Sequence, residues 1–194
     1  MVEWLEFFGS FLRDPGRVGA FAPSSPELAE AMLLGCDLKN AGTVVEFGPG
    51  TGAFTRLILD RIARQTTFLA LELDRDHVRR LRERFPGVNV YNDCAEKIQK
   101  YLTRHHRKKA DYIISGLPWV NMPAKVQETI LGTTVASLLP GGMFATFTYV
   151  PTFWFPRARR FRARLKSHFA EVRLSRVVWR NAPPALVYRC HLAK

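Results

Sequence analysis

The stretch Val44-Val45-Glu46-Phe47-Gly48-Pro49-Gly50-Thr51-Gly52-Ala53-Phe54-Thr55 decides how this chain is read. It closes a short apolar run, residues 43–47, of the kind that forms a buried strand. Three glycines follow at Gly-x-Gly-x-Gly spacing, and Phe54, Leu57, Ile58 and Ile62 then recur at helical intervals, predicting a helix over 53–64. A glycine turn that hands a strand over to a helix is where an α/β sheet binds nucleotides. Glycine lets the backbone approach a ligand closely, and the start of the helix offers free N–H groups to a carboxylate or phosphate. The spacing differs from the Gly-x-Gly-x-x-Gly of dinucleotide folds. Glu46, two residues before the first glycine, favours a cationic group nearby and disfavours a pyrophosphate.

Outward from this turn the pattern repeats. Strands are expected over 67–73, 88–91, 111–114 and 144–150, with helices over 76–85, 95–103 and 126–139 between them. Strands alternating with helices predict a parallel sheet covered on both faces. The last part differs: 172–179 and 185–192 read as two strands joined by the turn 180–184, an antiparallel hairpin. Glu72 ends the second strand, where a carboxylate accepts hydrogen bonds from both hydroxyls of a ribose. Asp93 follows the third strand, placed to accept from an adenine amino group. An ordinary glycine turn with both acids as helix caps is the alternative. Two acids at the ends of successive strands favour the nucleotide.

Composition narrows the class. The chain has 194 residues, 47% hydrophobic and 24% charged, which excludes a disordered chain and fits one domain over 1–194. Cys36, Cys94 and Cys190 are too scattered for a disulfide framework or a zinc site, so a reduced cytoplasmic setting is expected and no metal. No run approaches the roughly 18 apolar residues of a membrane span, and the start lacks the features of a signal peptide. The formal net charge is +12, and residues 153–194 hold eleven Lys or Arg against the single acid Glu171. Arg157, Arg159, Arg160, Arg162, Arg164 and Lys166 crowd one short segment without an interleaved acid. Such a field attracts polyanions, either nucleic acid or an anionic lipid surface.

Together the glycine turn and the acids resemble the class I S-adenosylmethionine-dependent methyltransferases, whose seven-stranded, mostly parallel sheet ends in an antiparallel strand. The resemblance implies a Rossmann-like α/β fold with helices on both faces. It also implies S-adenosyl-L-methionine as cofactor and S-adenosyl-L-homocysteine as product. Glu46, Gly48, Gly50 and Gly52 would surround the methionine part, Glu72 the ribose and Asp93 the adenine.

The acceptor is read from Ile114-Ser115-Gly116-Leu117-Pro118-Trp119, which is similar to the Asn-Leu-Pro-Tyr loop of rRNA adenine dimethyltransferases. In those enzymes the asparagine carbonyl holds the adenine amine; the matching position here is Gly116, without a side chain. Those enzymes also resemble one another in a C-terminal helical domain, whereas this chain ends at its last strand. Three segments, 18–29, 115–123 and 178–189, together resemble the small bacterial phospholipid N-methyltransferases, which convert phosphatidylethanolamine stepwise to phosphatidylcholine. That resemblance implies a peripheral enzyme on the cytoplasmic face of the membrane, with a phospholipid substrate, an anionic membrane surface as partner and no stable nucleic acid.

Ser115 and Tyr149 are then candidates for orienting the amine. Phe21, Trp119 and Tyr149 are candidate walls, because methylated head groups favour aromatic faces. Arg180 and Tyr188 are candidates for the lipid phosphate, arginine binding phosphate bidentately. A helix over 1–14, with Trp4 and Phe8 on one side, is a candidate interfacial anchor, and Phe153, Trp154 and Phe155 beside the arginine cluster form a second. An RNA methyltransferase and a non-catalytic nucleic-acid-binding module are the rival readings.

Overall fold

A computed structural model describes residues 24–193. The expected helix over 1–14, with Trp4 and Phe8, and the candidate wall Phe21 lie outside the described residues. Seven strands form one sheet: β1 (Thr43–Phe47), β2 (Thr67–Glu72), β3 (Asn89–Asn92), β4 (Ala110–Ser115), β5 (Leu138–Tyr149), β6 (Glu171–Leu174) and β7 (Ala185–His191). Their order is β3-β2-β1-β4-β5-β7-β6. Strands β1 to β5 pair in parallel, and β7 runs antiparallel to both β5 and β6. This is the Rossmann-like methyltransferase architecture expected from the sequence.

All five residues of β1 are buried, as the centre of a sheet covered on both sides requires. On one face lie α1 (Pro26–Leu33), α2 (Ala53–Leu59) and α3 (Arg75–Arg84), which contribute Leu28, Met32, Phe54, Ile58, Val78 and Leu81 to the core. On the other lie α4 (Ile98–Arg104) and α5 (Ala124–Ser137). After the short helix α6 (Val150–Phe153), that face is completed by α7 (Pro156–His168). The arginine-rich segment is thus α7. Its Ala158, Phe161 and Leu165 face the core at helical spacing, and Arg157, Arg159 and Arg160 face outward.

Three boundaries differ from the sequence reading. Strand β5 begins at Leu138 and not at residue 144, because Leu138 pairs with Ala110 before a register shift that leaves residues 139–142 bulged. The helix after β1 stops at Leu59. The hairpin strand expected over 172–179 breaks after Leu174. There the Ser175 hydroxyl accepts the Val187 N–H, taking a ladder position from the backbone, and only Val178 rejoins, opposite Ala185. Among the described residues no helix is long and apolar enough to cross a membrane.

Candidate active site

The carboxyl ends of five neighbouring strands bring the predicted residues to one edge. Read across β3-β2-β1-β4-β5, they are Asp93, Glu72, Glu46 with the glycine turn, Ser115 and Tyr149. At about 4.8 Å per strand this row spans about 19 Å, the reach of an extended nucleoside-sized ligand with an acceptor beside it.

Gly48, Gly50 and Gly52 all have positive φ, at 64°, 53° and 82°. A side chain at Gly48 would meet Leu117 Cδ2 at 2.8 Å, and one at Gly52 would meet Leu81 and Phe85 at 2.8 Å. These two glycines therefore let the turn lie flat between the loop after β4 and helix α3. At Gly50 nothing stands within 4 Å of a would-be Cβ. The Gly50 N–H instead donates to Glu72 Oε2 at 2.9 Å, pinning the turn to the end of β2. The other oxygen of Glu72 accepts the Asp74 N–H at 3.0 Å. Burial raises the Glu72 carboxyl above its ordinary range, against these two backbone donors.

Glu46 is fully buried. Its Oε2 accepts from Thr55 Oγ1 at 2.7 Å, from the first turn of α2, and its Oε1 has no hydrogen-bond partner among the described residues. Burial pushes this carboxyl up to about 8; the Thr55 hydrogen bond opposes the shift and the nearby Glu72 adds to it. A fully buried acid with one orphaned oxygen suits a cationic ligand group, which supplies the missing partner and stabilises the ionised form. Asp93 is held by three donors: the Cys94 N–H at 2.9 Å, the Tyr101 hydroxyl at 2.7 Å and Lys100 Nζ at 3.2 Å. Partial burial opposes its ionisation, but these hydrogen bonds outweigh that and keep it below the ordinary carboxylate value. Gly48, Glu72, Leu73, Asp93, Cys94 and Leu117 line one cleft. Two acids and apolar side chains meet there, beside the glycine turn and Glu46.

The acceptor side needs correction. Ser115 is buried, and its hydroxyl oxygen accepts the Leu117 N–H at 3.3 Å and the Trp119 indole N–H at 3.0 Å. It therefore shapes the loop and is not presented to a substrate. Trp119 is 1% exposed, stacked on Phe161 of α7 at 5.1 Å and edge-on to Phe144 at 5.8 Å. It is core, not a pocket wall. Tyr188 is also buried, edge-on to Phe161; because β7 is an interior strand, this side chain points under α7 and cannot meet a lipid phosphate. Tyr149 remains half-buried at the end of β5, and burial raises its phenol. Arg180 is exposed near the same end, 3.4 Å from Glu27. The sequence reading missed Thr55, Tyr101 and Lys100, which hold the two acids. Tyr101 alone left a signal, as a hydroxyl-bearing aromatic on the same buried helix face as Ile98 and Leu102, close after Asp93 in the chain.

Gly116 lies where a side chain has no room: a Cβ there would stand 2.6 Å from the Gly48 carbonyl oxygen. The loop after β4 is packed directly on the glycine turn.

No protein-family model matches the chain. Ornithine lipid N-methyltransferase of Singulisphaera acidiphila is 31% identical over 197 residues, covering 100% of this chain and 98% of that protein. Ribosomal RNA small subunit methyltransferase A of a Synechococcus species is 30% identical over 106 residues, covering 53% of this chain and 37% of its own length. Among solved structures, the N-methyltransferase NodS from Bradyrhizobium japonicum superposes with a TM-score of 0.67 at 15% identity, over 88% of this chain and 98% of its own. Human methyltransferase-like protein 13, solved in complex with SAH, superposes with a TM-score of 0.66 at 18% identity, over 86% of this chain and 82% of its own.

Proposed function

The chain belongs to the class I S-adenosylmethionine-dependent methyltransferases, in the family of ornithine lipid N-methyltransferase, and from that premise we propose that it methylates the primary amine of a membrane lipid head group. The likeness to that relative over the whole chain supports ornithine lipid as acceptor. The segments that resemble phospholipid N-methyltransferases support phosphatidylethanolamine. Both offer a primary amine tethered at a bilayer surface.

One observation carries the lipid reading. The strand ends that hold the cofactor residues share their edge with the exposed aromatics Trp154 (73% exposed), Phe155 and Trp179 (73%). Trp154 follows β5 by way of α6; Trp179 follows Val178, which bridges to Ala185 opposite Tyr149. Aromatic side chains suit the membrane interface, and Arg157, Arg159 and Arg160 begin α7 beside them. Each cation near an anionic surface contributes about 1 kcal/mol, so this edge would dock peripherally with the site facing the lipid. RNA is disfavoured because Gly116 has no room for the asparagine with which rRNA adenine dimethyltransferases hold their base.

In this reading Glu46, Gly48, Gly50 and Gly52 hold the methionyl part of the cofactor, Glu72 the ribose and Asp93 the adenine. When bound, S-adenosylmethionine supplies an electrophilic methyl on a sulfonium. The chain's task is to present a neutral amine in line with it, and alignment alone lowers such a barrier strongly. Tyr149 orients the amine, and Arg180 meets the head-group phosphate or carbonyl. The test is transfer of labelled methyl to vesicles containing ornithine lipid or phosphatidylethanolamine, with RNA in parallel. Label in either lipid supports the proposal and separates the two acceptors. Label in RNA alone refutes it.

A further inference from the structure

The loop after β4 is not held by its own residues alone. The buried Gln127 of α5 donates its amide N–H groups to two of its carbonyls, those of Trp119 at 2.7 Å and Met122 at 3.0 Å. The amide oxygen of Gln127 accepts from Arg164 Nη1 at 3.0 Å. Arg164 belongs to α7, where Glu128 braces it at 3.7 Å and also meets His168 at 2.6 Å. Two carbonyl acceptors on one side and a guanidinium with only donors on the other leave the amide a single orientation. Trp119, fixed at its carbonyl, carries the constraint inward through its indole N–H to Ser115 at the end of β4. Gly116 and Leu117, between these anchors, touch the glycine turn.

We propose that Gln127, oriented by Arg164, is a positioning residue for the acceptor loop: it fixes residues 115–122 against the cofactor turn and links them to the cationic helix α7. This rests on the reading of that loop as the acceptor side of a lipid methyltransferase. Leu117 lines the cleft with Glu72 and Asp93, but both acids are held by other donors, Gly50 and Asp74 for the first and Cys94, Tyr101 and Lys100 for the second. The cofactor is therefore held normally when the linkage is cut, and the loss falls on turnover.

The experiment compares wild type with Gln127→Met, Arg164→Met and Arg164→Lys. Cofactor Kd is measured by calorimetry, kcat and KM with aminolipid vesicles, and hydrogen exchange over 115–122 and 48–52. In both methionine variants exchange over 115–122 accelerates while 48–52 stays as in wild type. Cofactor Kd stays within about twofold and kcat falls on the order of tenfold to a hundredfold, the scale of a small misplacement of a reacting group. Arg164→Lys, which still donates to the amide oxygen, recovers most of the loss. The proposal is overturned if exchange over 115–122 is unchanged. It is equally overturned if kcat is unchanged, or if cofactor affinity falls in step with kcat, as general damage would cause. Arg164→Met, at a partly exposed site, keeps the test open should Gln127→Met not fold. A wild type that labels no lipid sinks the aminolipid reading alone, because exchange over 115–122 still decides the linkage.

Discussion

Replacing Glu46 by glutamine should make the cofactor-free protein more stable at neutral pH, although it removes a residue of the proposed binding site. In the unfolded chain this carboxyl titrates near its ordinary 4.5, and burial in the fold pushes it up to about 8. At about 1.36 kcal/mol per pH unit, that difference makes ionised Glu46 cost the empty protein about 5 kcal/mol. The sign follows from proton counting. Between the two values the folded state holds a proton that the unfolded state has lost, so stability is fully present below about 4.5 and falls as pH rises toward about 8. Glutamine keeps an oxygen for the Thr55 hydroxyl and does not titrate. Urea unfolding of both cofactor-free proteins at pH 5.5 and 7.5 isolates the effect. Wild type should lose on the order of 2–3 kcal/mol more than Glu46→Gln over that interval. S-adenosylmethionine, whose positive charge favours the ionised acid, should in turn bind wild type more tightly as pH rises and the variant with little change. Parallel stability profiles for the two proteins would refute the argument that Glu46 is a desolvated acid waiting for a cation.

Three further outcomes are expected. Ser115→Ala leaves the Leu117 N–H and the Trp119 indole N–H without their acceptor, at about 1–3 kcal/mol for each buried donor; urea unfolding reads the loss, and a neutral result would mean the loop finds other acceptors. Gly116→Asn forces a Cβ against the Gly48 carbonyl oxygen, so it should cost on the order of 1–3 kcal/mol and weaken cofactor binding without conferring transfer to RNA; RNA labelling by a stable variant would contradict this. Tyr101→Phe removes the O–H that Asp93 accepts. The carboxyl should move back toward its ordinary value, and cofactor Kd should rise about fivefold, as one hydrogen bond of about 1 kcal/mol implies. An unchanged Kd in calorimetry would mean that Lys100 and the Cys94 N–H hold Asp93 unaided.

The placement of the glycine turn and of the acids at the strand ends was legible in the sequence because it is written in local chemistry. Positive φ asks for glycine at 48, 50 and 52, and strand ends expose the next residues, so Glu72 and Asp93 could be placed by counting. The acceptor half was not legible, because its side chains take their directions from partners distant in the chain. Trp119 turns inward to stack on Phe161, forty-two residues away and on another helix. Ser115 follows it, spending its oxygen on the indole. Tyr188 is buried because β7 enters the sheet beside β5, with β6 outside it, an order that period-two patterning does not encode. The strand break after Leu174 had the same kind of cause, a single hydroxyl competing with the backbone for a ladder position.

The place of β7 has a consequence for synthesis. It is the last strand to be made of those described, yet it lies between β5 and β6, pairing with both. While the ribosome is adding residues 150–184, the outer edge of β5 has no partner. Its Phe144, Ala145 and Thr146, fully buried in the finished fold, have only one neighbouring strand. An apolar strand with an open edge is a template for pairing with other chains. The nascent protein thus passes through a stage in which, among the described residues, α7 and the incoming β6 are the segments next in line to shield that edge. A chain cut just before residue 185 should therefore aggregate more readily on refolding than the full chain.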